Sequence, residues 1–328
     1  MQILRAWLGG RLGYVEVGNE ASEYFGIDYG SGQGSILGPV LFNFYMAPLV
    51  IRDNILTYAD DNYQLAINKN KNGALVDLQR RVMEAEKWMS GSGLRVNLSK
   101  TELVVFHRFE TSKSEIHVDN VTIKSSQSMN VLGIKFDSRL TWDVQVDAAI
   151  LKSRKALHAM RTIRKYFTET EMIKLVTSNI YSKLYYASMV WLLPNLKEKL
   201  FKRLGSHSGR ILKVVDCNLS YNNLHKKFIR ATPKIFSLYQ TALNLYHVKK
   251  SNVPSNHAEK VNRVTLSERR NVRLSYVRNN NFKVGLNLIG NRLRSITNVI
   301  DKAWLDIDVD SYKMNCKKRI IQELLSSL

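Results

Sequence analysis

The spacing of apolar and polar residues divides the chain into a first stretch of short pieces and a later stretch of long helical periods. Residues 1–35 mix short apolar and polar runs with many glycines, and Tyr14-Val15-Glu16-Val17 reads as a strand. Gly30-Ser31-Gly32-Gln33-Gly34-Ser35 reads as a flexible loop. Pro39 can open a helix, because its absent N–H is not needed in the first turn. Residues 39–50 (PVLFNFYMAPLV) then predict a mostly buried helix. Residues 54–67 (NILTYADDNYQLAI) read as strand, turn, strand, with the turn formers Asp60-Asp61-Asn62 between apolar flanks. Leu75, Leu78, Val82, Ala85 and Trp88 or Met89 recur at three- and four-residue steps, predicting an amphipathic helix over 73–90 that Gly91 and Gly93 stop. Strand-like pieces follow at 102–107, 115–124 and 130–136.

From Trp142 the period becomes helical. Leu151, Ala156, Met160 and Ile163 can line one face of a helix over 143–166, and Ile173, Val176, Ile180 and Leu184 one face of a second over 169–193. Further helical patterns occur at 197–215, 233–248 and 312–326, while 249–281 is very polar and basic and reads as a long loop. The fold class expected is α+β, mixed at first and mainly helical afterwards, with no internal repeat.

A content of 45% hydrophobic and 23% charged residues excludes a disordered or collagen-like chain, and 328 residues fit about two domains. The most apolar stretch, residues 36–51, is broken by Pro39, Asn43 and Pro48 and is shorter than the ~20 residues a bilayer requires. No membrane span and no signal peptide are expected. Cys217 and Cys316 stand far apart, forming neither a metal cluster nor a disulfide framework, which fits a reducing intracellular compartment, nucleus or cytoplasm. The net charge of +21 is unevenly spread: residues 1–149 hold 15 Lys and Arg against 17 acids, residues 150–328 hold 34 against 11. A near-neutral half joined to a strongly basic one points to a polyanionic partner for the second half.

Two motifs could carry chemistry. Asp60 and Asp61 at a hairpin tip offer hard oxygen ligands suited to Mg²⁺, but adjacent strand residues face opposite sides, so a third carboxylate from elsewhere is required. By itself such a pair is an acidic surface turn. In Gly30–Pro39 the glycines let backbone approach a ligand, Gln33 can hydrogen-bond a base or sugar edge, and the following helix N-terminus favours phosphate. By itself this is a glycine-rich turn.

Together, Gln33-Gly34-Ser35-Ile36-Leu37-Gly38-Pro39 followed by Tyr58-Ala59-Asp60-Asp61 resembles the reverse transcriptases of LINE-type, non-long-terminal-repeat retrotransposons. Gly93-Leu94-Arg95-Val96-Asn97-Leu98-Ser99-Lys100-Thr101-Glu102 resembles that family's next palm motif. Val131-Leu132-Gly133-Ile134-Lys135-Phe136-Asp137, with Leu140-Thr141-Trp142, resembles the lead into its thumb. Tyr185-Tyr186-Ala187-Ser188-Met189-Val190-Trp191 is similar to a thumb-region motif, and Asn291-Arg292-Leu293 with residues 311–321 to the tail of jockey-like elements.

The resemblance implies a partial palm over 1–141 (an antiparallel sheet with helices), a helical thumb or connection over 142–248 and a basic C-terminal region over 249–328. It implies RNA-directed DNA polymerase chemistry with two Mg²⁺ ions, on an RNA template or RNA–DNA hybrid with deoxynucleoside triphosphates. Asp60 would be the metal ligand and Asp61 its less direct partner. Gln33, with Gly34, Ser35 and Tyr58, would contact the templating pair or incoming nucleotide. Lys100 would lie near the pyrophosphate leaving group as a proton donor. The family carries a further catalytic Asp well before the glutamine motif. Nothing in the residues before Gln33 fills that role, Asp28 being too close, and Gly32 stands where the family commonly has Pro. The expectation is a truncated polymerase, inactive alone. The alternatives are a non-catalytic nucleic-acid-binding protein derived from a retrotransposon remnant and a basic helical interaction module.

Overall fold

The computed structural model describes residues 2–51, 55–106, 113–193, 196–220, 223, 228 and 232–251. The basic loop expected over 249–281, the helix expected over 312–326 and the tail motif lie outside these residues, apart from 249–251, which end a helix. The chain forms two compact units. Unit one comprises Met1–Thr101 with Ser114–Lys124, and unit two takes the described residues of Glu102–Lys113 and Ser125–Leu328.

Unit one opens with helix α1 (Gln2–Leu8) and four two-residue strands, β1 (Leu12–Gly13), β2 (Glu16–Val17), β3 (Glu20–Ala21) and β4 (Phe25–Gly26). β1 pairs antiparallel with β4 and β2 with β3, so only the second half of the strand expected at 14–17 forms. Helix α2 (Leu37–Val50) follows, then strands β5 (Ile55–Tyr58) and β6 (Asp61–Gln64), paired as the expected hairpin. Helix α3 (Lys71–Gly91) starts at Asn70, whose side chain accepts from the Asn72 N–H at 3.0 Å. It stops where Gly93 takes a φ of +76° and its N–H donates to the Ser90 carbonyl at 3.1 Å. Strands β7 (Glu115–Val118) and β8 (Val121–Lys124) close the unit.

The expected single strand over 115–124 is therefore a hairpin, turning at Asp119 with φ +50°. Its alternation buries Ile116, Val118 and Ile123. The main apolar cluster of unit one is small: Met46 and Leu49 of α2, Ile55 of β5, and Ala85 and Met89 of α3, flanked by Phe42, Trp88, Leu94 and Val96. The expectation of a mostly buried α2 is corrected. Only Gly38, Met46 and Leu49 are buried, and Phe44 is 74% exposed, because α3 and β5 cover one side of the helix alone.

In unit two, strands β9 (Ser128–Val131) and β10 (Ile134–Asp137) form a hairpin where one strand was expected over 130–136. Leu132 and Gly133 both have positive φ, +48° and +82°, as a tight hairpin turn of the right twist demands. The piece at 102–107 forms no strand among its described residues, only an isolated bridge from Leu103 to Ser125. The antiparallel sheets of both units are separate two-stranded ribbons among the described residues, and with the helices they make the α+β class expected.

Asp137 organises the entry to helix α4 (Asp143–Ile163). Its buried carboxylate accepts from the N–H groups of Arg139 (3.2 Å), Thr141 (2.9 Å) and Trp142 (2.8 Å) and from the Thr141 hydroxyl at 3.2 Å. These bonds hold Trp142 at φ +67°, where the helix begins. α4 buries Val146, Ala149, Ile150, Ser153, Leu157 and Met160. Leu151, expected on that face, is 61% exposed, because the buried stripe is set by contacts with β10 and the later helices and includes the polar Ser153.

Helix α5 (Glu169–Val176) starts at a capping box: the Glu171 carboxylate accepts from the Thr168 N–H at 2.8 Å, while the Thr168 hydroxyl accepts from the Glu171 N–H. The bond from the Thr168 N–H, with a second from the Thr168 hydroxyl at 2.7 Å, holds the Glu171 carboxyl below its ordinary pKa. The helix widens into a π turn at Thr177–Tyr181 and continues as the short α6 (Ser182–Leu184). Ala187 at φ +46° breaks it before α7 (Ser188–Trp191). Helices α8 (Glu198–Val215) and α9 (Pro233–Ser251) complete the unit.

Met172, Ile180, Leu184, Trp191, Leu200 and Leu204 are each fully buried in one core that joins α4 to α8. Among the aromatics of these helices, Tyr185 is buried and Phe167 and Tyr181 pack at the edge of that core, but Tyr166 is 71% and Tyr186 52% exposed. Tyr186 serves as a link instead: its hydroxyl donates to the Leu132 carbonyl at 3.1 Å, and its own carbonyl accepts from the Trp191 indole at 2.9 Å. No helix among the described residues is long and apolar enough to cross a membrane.

Candidate active site

The residues singled out by their motifs lie in unit one, on three segments that share one small core. The loop before α2 is the first. Gly30 and Gly34 have φ of +77° and +78°, a backbone that L side chains resist. The Ser35 hydroxyl accepts from the Gly38 N–H at 3.0 Å and so caps the start of α2. A Cβ on Gly38 would meet the hydroxyls of Ser31 and Ser35 at 3.0 Å, so the motif glycine lets loop and helix close on each other. Gln33 and Gly34 are exposed at the crest, and the Gln33 side chain makes no hydrogen bond among the described residues. Arg11, which the sequence reading missed, fastens the loop from beneath: its guanidinium donates to the carbonyls of Leu8 (3.0 Å), Tyr29 (3.2 Å) and Gly30 (2.7 Å). No pattern around Arg11 announces that role, since its three acceptors are backbone atoms.

The second segment is the β5–β6 hairpin. Tyr58 pairs with Asp61, leaving Ala59-Asp60 as a two-residue turn. Ala59 sits at φ +52°, a conformation that costs a non-glycine residue about 1 kcal/mol. Asp60 is thus in the turn and Asp61 opens β6, so the two carboxylates belong to different parts of the tip. Both are exposed, as is Tyr58 at 65%. Asp61 accepts from the Tyr63 hydroxyl at 3.2 Å, and the Asn62 amide donates to the Asp60 carbonyl at 3.1 Å. On one face of β6 the side-chain oxygens of Asn62 and Gln64 are buried with no partner among the described residues.

The third segment carries Lys100 in a short 3₁₀ turn, Leu98–Lys100, following Leu94 and Val96 of the same core. The Lys100 N–H donates to the Asn97 carbonyl at 3.1 Å, and the ammonium is exposed with no carboxylate partner among the described residues. The core of α2, β5 and α3 therefore gathers the three motif-bearing segments. It ties none of the side chains of Gln33, Asp60, Asp61 and Lys100 to another by a hydrogen bond or ion pair among the described residues. A cleft of about 940 Å³ beside Ile55 is lined by α3 residues including Arg81, Glu84 and Trp88, and by none of these four.

Mg²⁺ demands near-octahedral oxygen ligation, and a two-metal site demands carboxylates shared between the ions. Among the described residues no group of three or more His, Cys, Asp or Glu stands together as a metal site. Asp60 and Asp61 alone do not complete that donor set.

Residues 1–136 match the family model described as reverse transcriptase (RNA-dependent DNA polymerase). The chain is similar to three proteins of Drosophila melanogaster. The RNA-directed DNA polymerase from mobile element jockey is 27% identical over 150 residues, 43% of this chain and 16% of that protein. The probable RNA-directed DNA polymerase from transposon X-element is 23% identical over 263 residues, 75% of this chain and 28% of the other. That from transposon BS is 28% identical over 174 residues, 49% and 19%. The chain thus spans less than a third of the length of these relatives. No solved structure matches it. The resemblance to non-long-terminal-repeat reverse transcriptases read from the motifs is borne out.

Proposed function

We propose, starting from the reverse-transcriptase domain that residues 1–136 match, that this chain is part of a LINE-type RNA-directed DNA polymerase, engaging template, primer and deoxynucleoside triphosphate through unit one. The observation that carries this reading is the common core of α2, β5 and α3. It holds the Gln33 loop, the Asp60 hairpin and the Lys100 turn in the family's order on one small scaffold. Gln33 and Tyr58 are exposed and free to meet a nucleotide or base pair, and Lys100 a phosphate. Among the described residues, Asp60 and Asp61 retain the motif without the remaining carboxylates of a two-metal site. The 328-residue polypeptide is therefore assigned recognition and no stand-alone strand synthesis. Primer extension on an RNA template with Mg²⁺ tests this. No template-dependent product is expected; product that Asp60→Asn abolishes would overturn the assignment.

A second reading, a non-catalytic nucleic-acid-binding protein, is favoured by the charge asymmetry, with 34 Lys and Arg against 11 acids after residue 149. Such a half holds a duplex by its phosphates and reads little of its sequence. Binding of an RNA–DNA hybrid that weakens steeply with salt is expected. Absence of binding at low salt would remove nucleic acid from the account of the basic half.

A further inference from the structure

α4 and α8 face each other across a cleft of about 360 Å³ in unit two, floored by Ile150 and His207. Its acid is already used: Asp147 is ion-paired with Arg203, which also reaches Asp143 at 3.7 Å. Asp143 in turn takes Lys199 at 2.9 Å and Lys197 at 3.9 Å. Arg154, Lys202 and Arg210 also line the opening and have no carboxylate partner among the described residues. Three unpaired cations around one small opening repel each other, and a single anion between the helices relieves that repulsion.

The floor is neutral. His207 is 3% exposed, with Nε2 2.7 Å from the Ser153 hydroxyl oxygen. Ser153 itself donates to the Ile150 carbonyl at 2.9 Å, so Nε2 carries the hydrogen and donates to Ser153. Nδ1 is left as a buried lone pair with no partner among the described residues. Burial and the charges of Arg154, Arg210 and Arg161 push the pKa of the ring down to about 4, so the imidazole is neutral and adds no charge of its own to the cleft.

We propose that this cleft seats one backbone phosphate of a nucleic-acid duplex, gripped by the guanidinium forks of Arg154 and Arg210 with Lys202 at the rim. The proposal rests on the reading of the basic half as a nucleic-acid binder and adds where that half takes hold. Guanidinium groups match phosphate oxygens two at a time. A phosphate belonging to a polyanion gains in addition from the surrounding excess of Lys and Arg, which favours the backbone over a free ion.

The test is binding of a fluorescent RNA–DNA hybrid to the full chain, followed by anisotropy across a salt series. Arg154→Gln/Arg210→Gln is compared with the charge-matched Lys174→Gln/Lys183→Gln, whose exposed side chains lie outside the cleft. The cleft pair should weaken binding about ten-fold and lower the log–log salt slope by about one, since both arginines serve one phosphate. The control pair should change binding less. Arg154→Lys/Arg210→Lys, which preserves charge and tests the fork alone, should keep the slope and lose part of the affinity. The ring signals of His207 should shift when hybrid is added to the unsubstituted chain and stay still in the glutamine pair. Equal weakening by the cleft and control pairs would overturn the cleft while leaving diffuse duplex binding intact. No hybrid binding by the unsubstituted chain would end both readings. His207 signals that move with inorganic phosphate and not with hybrid would assign the cleft to a free anion and overturn the backbone phosphate.

Discussion

Unit two buries Trp191, Leu200, Leu204 and Ile211 completely, whereas unit one leaves Tyr29, Phe44, Leu56 and Ile67 more than two-thirds exposed. Of the large apolar residues exposed among the described residues, all but Leu132, Val144, Leu151, Tyr166 and Tyr186 belong to unit one. The difference lies in how many layers each sequence finds. α2 is apolar on every side, the composition of a helix wrapped by neighbours, yet α3 and β5 cover one side of it. α8, by contrast, separates Leu200, Leu204, Ile211 and Leu212 from a face of Lys and Arg, and its apolar side meets α4 and α5 fully. The described residues of unit two enclose their own core. Unit one is written for more neighbours than its described residues supply.

The comparison breaks most sharply at the core. Trp191→Ala should cost the full chain about 3–5 kcal/mol in chemical denaturation, because a fully enclosed ring leaves a cavity and a lost hydrogen bond to Tyr186. A loss under 1 kcal/mol would mean that unit two is as loosely closed as unit one.

Next comes pH. The depressed pKa of His207 means that the unfolded chain binds its proton first as pH falls. Stability is therefore whole above about pH 6.5 and drains away towards pH 4, by about 3 kcal/mol in all. Urea midpoints of unit two measured across that window should slope accordingly, and His207→Asn should flatten the slope. A slope unchanged in the variant would overturn the assignment to His207, since the lowered carboxyls of Asp143 and Glu171 act at still lower pH.

Asp137→Asn should remove about 2 kcal/mol, since the amide cannot accept all four bonds that order the start of α4. Thermal unfolding indistinguishable from the parent would show that α4 starts without that knot. The smallest effect expected is a gain: Ala59→Gly relieves the left-handed turn and should stabilise unit one by about 1 kcal/mol. A loss there would mean that the turn depends on the alanine methyl.

Helices α3, α4 and α8 were legible in the chain almost to their ends, because each carries a one-sided period, but α1 was not read, and the single helix expected over 169–193 is broken at the π turn and at Ala187. The β7–β8 and β9–β10 hairpins were not legible. Asp119-Asn120 is a readable turn pair between alternating residues, but Leu132-Gly133 hides its turn inside an apolar run. The wrong face for Leu151 has a physical cause: periodicity sees apolar residues, while the stripe α4 buries includes Gln145 and Ser153, whose partners are the Lys135 N–H and His207. For the candidate site, the motif residues were legible by type and order. Arg11 was not, since it acts on backbone carbonyls, and neither was the cleft at His207, whose members run from Asp147 to Arg210 and meet only when α4 and α8 pack.

The π turn at Thr177–Tyr181 has a consequence for how this chain tolerates changes in length. A π turn closes its hydrogen bonds over five residues instead of four, so it holds one residue more than an α turn between the same neighbours. Removing the exposed Ser178 converts the bulge to an ordinary turn while Val176 before it and Leu184 after it keep their places. The same single deletion inside α4 swings everything beyond it by about 100° and turns the core-facing stripe outward. A lineage that gained or lost one codon in this region can therefore have kept its architecture at this turn and not in α4.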